Sequence, residues 1–156
     1  LTLALSLLMT VSLPLTAFAE PMHHPEANVV IDVPEGWTSE TKGSILHVSP
    51  AGGGLWIMFW VTEADDMEHV MQALDTEFGK ILQDAQHGDL QESELNGMKA
   101  VYTEGKATMD GNPVEWTAAV VFAAKPLVIM GIAAEGALDE HKEELSALLK
   151  SLKPAE

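Results

Sequence analysis

The sequence predicts an α+β domain: a mostly antiparallel sheet with two helices packed on it, in the order β-β-β-α-β-β-β-β-α. Three observations carry this. Leu55, Ile57, Phe59 and Val61 alternate with Trp56, Met58 and Trp60; a strand with no polar face must be covered on both sides. Two stretches, Ala64 to about Gln86 and Asp139 to Leu152, carry apolar residues at helical spacing. The remaining links between strands are short, which favours antiparallel neighbours.

Leu1 to Ala19 comes first and stands apart. It has no charged side chain and ends in Ala17-Phe18-Ala19, directly before Glu20. A small-x-small ending suits the shallow pockets of a signal peptidase. Residues 1–19 are expected to be a signal peptide, and the protein to be exported, periplasmic or secreted, with no stable membrane anchor after cleavage. Pro14 breaks the apolar run, which weighs against a retained membrane helix. The chain has no Cys, so a lipid anchor on cysteine, a disulfide framework and thiolate chemistry are all excluded.

Residues 20–27 contain two prolines and no periodicity, and are expected to form a flexible N-terminal arm. One α+β domain is expected over 28–153. Asn28 to Val33 reads as a short strand, and Pro34-Glu35-Gly36-Trp37 as a turn. Ile45 to Val48 is the second strand, and Ser49 to Gly54 a loop into the strand 55–61. Asp65 is expected to cap the first helix, with Glu68 three residues on. Val70, Met71, Leu74, Phe78, Ile81 and Leu82 form its apolar stripe, and Gly88 is the expected terminator.

Asp89 to Leu95 is polar enough for an edge strand. Asn96-Gly97 predicts a two-residue hairpin that sets Leu95 opposite Met98 and Glu94 opposite Lys99. Met98 to Met109 is a long strand, Asp110 to Pro113 a turn, and Val114 to Ala123 the returning strand. Lys125-Pro126 marks another connection before the strand Leu127 to Ala134. The last helix turns Leu138, Leu145, Leu148, Leu149 and Leu152 inward, and Pro154 stops it.

The element order and the phrase Val30-Ile31-Asp32-Val33-Pro34-Glu35-Gly36-Trp37 resemble the PsbP and DcrB-like superfamily, also called the Mog-type fold. Its members commonly open with a strand ending in Pro-x-Gly-Trp, followed by a hairpin, a helix, an antiparallel run and a C-terminal helix. The resemblance spans Asn28 to Leu152. It implies an antiparallel sheet with helices on it and a small, non-catalytic accessory, assembly or binding protein. It brings no catalytic motif and no functional residues with it.

Composition narrows the partners. There are 24 acidic residues against 8 basic ones, all Lys, giving a formal charge of −16. Such a chain repels nucleic acid. Without Arg it lacks the bidentate fork that reads phosphate, so no phosphorylated substrate is expected. The densest group of metal-ligand side chains is Met22, His23, His24 and Glu26, a candidate weak copper or zinc site. The histidines fall fourth and fifth after Ala19, and Pro21 lacks a backbone N–H, so the tight amino-terminal copper motif is absent. Trp56, Trp60 and Trp116 are candidate partner-binding aromatics, with a place in the core as the plainer role. No Gly-x-Ser-x-Gly, His-Glu-x-x-His or phosphate-cradling motif occurs. The reading that results is an exported, non-catalytic accessory domain that binds an unknown protein or small ligand. Copper or zinc binding through His23 and His24 is the first alternative, and an uncharacterised hydrolase the second.

Overall fold

The computed structural model describes residues 20–63 and 66–156. The expected signal peptide and Asp65 lie outside them. The strands are β1 (Glu20–His24), β2 (Val29–Val33), β3 (Trp37–Lys42), β4 (Ile45–Pro50), β5 (Leu55–Val61), β6 (Gln83–His87), β7 (Gln91–Leu95), β8 (Met98–Met109), β9 (Asn112–Phe122), β10 (Pro126–Ala134) and β11 (Lys153–Pro154). The helices are α1 (Met67–Phe78), α2 (Ala137–Glu140) and α3 (Lys142–Ser151).

Every strand pair among the described residues is antiparallel. The main sheet runs β3-β4-β5-β10-β9-β8-β6, with β7 also on β8. A small sheet, β1-β2-β11, is separate. After β5 the chain leaves through α1 for the far edge, then meanders back until β10 pairs with β5. The two most apolar strands thus become neighbours at the centre, where both faces can be covered.

One face of the main sheet carries Leu55, Ile57, Phe59, Leu127 and Ile129, and packs against β2 and the α3 residues Leu148, Leu145 and Leu149. The other carries Trp116, Ala118, Val120, Val128 and Met130, and packs against Val70 and Leu74 of α1. The expected covering of β5 on two sides is therefore met by a helix on one face and by a helix plus a second sheet on the other.

The Asn96-Gly97 hairpin has the predicted register, Leu95 opposite Met98 and Glu94 opposite Lys99. Asn96 adopts φ 49°, a left-handed conformation that Asn tolerates. Its side-chain amide donates to the carbonyls of Lys150 and Leu152 at 2.6 and 2.5 Å. Those are orphan acceptors at the end of α3, so the hairpin turn caps the helix from outside. Ser151 ties the same helix end to β2: its Oγ accepts from the Asp32 N–H at 2.9 Å and donates to the Leu148 carbonyl.

Several expectations need correction. The arm 20–27 is not free of structure: residues 20–24 form β1, paired with β2 so that His23 faces Val30 and His24 faces Val29. Strand β3 has no counterpart among the expected elements: it is an exposed edge with no apolar alternation to reveal it. Helix α1 is capped by Asp66, not Asp65. The Asp66 carboxylate accepts from the His69 N–H at 2.9 Å, and His69 Nδ1 lies 2.6 Å from its second oxygen. The helix ends at Gly79, not Gly88, and the stretch to His87 becomes β6. β6 is exposed throughout, so only its backbone pairing with β8 makes it a strand. That pairing needs Gly105, because a Cβ there would lie 1.6 Å from the Gln86 carbonyl oxygen. The C-terminal helix is two helices, broken at His141 (φ −106°, ψ 16°).

Asn96→Ala should lower stability by about 1–3 kcal/mol, since it strands two helix-end carbonyls and leaves a Cβ in the left-handed region. Asn96→Gly removes only the bonds and should lose less. Urea unfolding of both variants checks this; two unchanged midpoints would mean that the hairpin does not hold α3. A second outcome concerns acid. The backbone bond from His69, then its side chain, holds the Asp66 carboxyl below its ordinary value of 3.8. A depressed folded-state value stabilises above 3.8, and that contribution disappears as pH falls through the lower folded value. Asp66→Ala should therefore lose α1 helicity at neutral pH and flatten its acid-induced loss, as read by circular dichroism.

Candidate functional site

An apolar hollow lies under the C-terminal helices. A cavity of about 300 Å³ separates α2 and α3 from the main sheet. Its roof is Leu138, Leu145 and Leu149, the inward leucines that helical spacing predicts. Its floor comes from three adjacent strands: Leu55 and Ile57 of β5, Ile129, Gly131 and Ala133 of β10, and Thr117 and Ala119 of β9. Leu95, Ala100 and Tyr102 form a side wall.

The hollow has a cause in the sequence. Along one row of the sheet, Gly131 sits between Ile57 and Thr117; along the next, Ala133 sits between Leu55 and Glu115. Small side chains therefore occupy the middle of the floor, where the rest of β10 offers Val128, Ile129, Met130 and Ile132. A Cβ placed on Gly131 would meet nothing within 4 Å. Glycine inside a strand costs stability and often marks a close approach by another group; here the space above it holds no protein atom. The roof is held by its ends, through Asn96, Ser151 and the Gly136 turn, so it need not collapse onto the floor.

Polar groups gather at the margin. Glu115 is half-buried, Ser93 is exposed, and the Tyr102 hydroxyl donates to Gln91 Oε1 at 2.9 Å. Among the described residues Glu115 is the only charged side chain bordering the cavity. It makes no ion pair or side-chain hydrogen bond. Sequence reasoning missed this site. The available signal was Gly131, a glycine centred in a run of large aliphatics.

The predicted site residues fall elsewhere. Met22, His23, His24 and Glu26 border one small recess of about 90 Å³ beside β3 and β4. Alternation along β1 splits them. Met22 packs into the core and His24 is 4% exposed, whereas His23 faces solvent. His24 Nδ1 accepts a long bond, 3.4 Å, from the Ala27 N–H, and His23 Nε2 lies 3.4 Å from Asn28 Oδ1. Among the described residues no three His, Asp or Glu side chains converge.

Trp56, Trp60 and Trp116 share the opposite face of the main sheet, with Trp56 and Trp116 flanking Ile132. They do not form one exposed surface. Trp116 is 6% exposed, inside the core; Trp60 is half-covered, its ring 6.0 Å from that of Phe78; Trp56 is 42% exposed. The Trp116 indole N–H is buried without a partner. The fourth tryptophan, Trp37, tucks onto the core edge-on to His141, 5.8 Å between centroids.

No protein-family model matches the chain, and no curated protein matches it in sequence. Solved structures do. Cyanobacterial PsbP (CyanoP) from Synechocystis sp. PCC 6803 aligns with a TM-score of 0.62 at 14% identity, covering 96% of this chain and 98% of that one. LpqN of Mycobacterium tuberculosis, described as involved in cell envelope biogenesis, aligns at 0.56 and 14% identity over 86% and 88%. PA94 of Pseudomonas aeruginosa, a protein of unknown function described as a putative regulator, aligns at 0.55 and 13% identity over 89% and 99%. At these identities the likeness concerns architecture, and it agrees with the order of elements and the Pro-x-Gly-Trp opening: the chain has the PsbP/DcrB-like fold.

Proposed function

We propose that the chain is an exported, non-catalytic accessory domain of the cell envelope that binds a small apolar ligand between its main sheet and its C-terminal helices. The cavity over Gly131 is the observation that carries this reading. Ligand sites are concave, mostly apolar and roughly 300–1,000 Å³, with a few polar groups that orient the guest. The space under α3 has that size and a mostly apolar lining, and its one charged group among the described residues sits at the margin. The export part rests on Leu1 to Ala19. The envelope part draws support from the architecture shared with LpqN. Among the described residues no helix is long and apolar enough to cross a membrane.

Gly131→Leu tests the binding reading directly. The new side chain enters the empty space, so stability should rise by roughly 1–3 kcal/mol through apolar burial and a less flexible unfolded chain. Uptake of the neutral fluorophore N-phenylnaphthylamine, expected for the unmodified protein, should disappear. Fluorophore uptake that persists in a folded, stabilised variant would overturn the assignment.

A second reading is copper or zinc binding at Met22, His23, His24 and Glu26, supported by their meeting around one recess. Calorimetry with cupric or zinc ion should then give micromolar or tighter one-to-one uptake, lost in His23→Ala. That variant leaves the buried His24 in place. Uptake only at millimolar metal would remove this reading.

A further inference from the structure

We propose that the ligand of the Gly131 cavity is a cationic amphiphile: a short apolar chain carrying an amine head that meets the Glu115 carboxylate. This rests on the ligand-binding reading and adds the chemistry of the head group. The apolar part follows from the walls, since the roof is three leucines and the floor is mostly aliphatic, with Thr117 its one hydroxyl. For scale, an apolar cavity of roughly 150 Å³ holds a benzene-sized guest, and this one is about 300 Å³.

The head follows from Glu115. It projects from β9 on the cavity side, because its neighbour Trp116 is buried on the other face. It is half-buried, yet no cation and no hydrogen-bond donor serves it. Lys106 is its register partner on β8, but that side chain is exposed and makes no ion pair with it. A carboxylate taken partly out of water and left alone loses solvation without compensation. A guest ammonium seated at the margin supplies a charge-assisted bond where screening is weaker than in bulk water. An anionic head would meet the same carboxylate at close range. No Arg exists in the chain to offset it, and no Lys borders the cavity. Fatty carboxylates and phosphorylated lipids are thus disfavoured.

The experiment uses the purified protein and three guests of equal chain length, decylamine, decanol and decanoate, each titrated below its aggregation threshold by calorimetry. Decylamine should bind about tenfold more tightly than decanol, the scale of one partly desolvated charged bond, and decanoate more weakly than decanol. Glu115→Gln should bring the three guests to within a few-fold of each other. Gly131→Leu should abolish all three. Decanol binding as well as decylamine, or decanoate binding best, overturns the head-group assignment while leaving the cavity reading intact. An amine preference that survives Glu115→Gln also overturns it, because general attraction to a chain of charge −16 would then be the cause. Failure of every guest to bind removes the cavity reading together with this one.

Discussion

The structure depends on the pairing of β5 with β10. Both strands are apolar on both faces, so neither is stable at an edge or with one side wet. Their register, Leu127 opposite Val61 through Ala133 opposite Leu55, lines up two apolar strands along their shared length. Everything else supplies cover. The crossover through α1 covers the Trp60 and Met130 side. The strand β2 and helix α3 cover the Phe59 and Ile129 side. The long-range pairing also dictates chain order: β10 must come last among the sheet strands so that the meander from the far edge can close on β5.

The space on the α3 side has a mechanical basis. On the α3 side the floor narrows to glycine and alanine just where the roof leucines arrive. A helix free to move would sink until that gap closed, since unfilled apolar space forfeits dispersion contacts. This helix is held by specific polar bonds instead. Asn96 grips its last carbonyls, Ser151 fixes it to β2, and Lys153 and Pro154 continue into that small sheet as β11. Directional bonds at one end and the Gly136 turn before α2 set its height. The cavity is thus a product of where the helix is tied and of which side chains lie under it.

Much of this was legible in the sequence where side chains alone decide the structure. β5 and β8 have the predicted bounds, and the Asn96-Gly97 turn has the predicted register, because a period of two and a turn needing left-handed residues are local signals. β3 and β6 were not legible. Their residues are exposed on both faces, so nothing but a neighbour's free backbone edge makes them strands. The helix break at His141 was hidden for a different reason: the leucine stripe continues across it from Leu138 to Leu145, so the periodic signal remains intact. The cavity was hidden because it is an absence. Ala119, Gly131 and Ala133 form a hollow only when the register brings β9 and β10 together under the leucines of α2 and α3.

The N-terminal segment shows how pairing changes the meaning of a motif. As a loose arm, Met22-His23-His24 would present two imidazoles and a thioether to any metal in solution. As β1, it spends Met22 and His24 on the core and leaves His23 outside. His24 uses Nδ1 to accept from Ala27, which closes the turn into β2 and leaves Nε2 as its other donor atom. A metal that needed both imidazoles would have to pull β1 away from β2, since adjacent strand residues point to opposite faces. Metal affinity and the order of the first hairpin would then oppose each other. The same two imidazoles are therefore presented to a metal differently in a free peptide and in the folded chain.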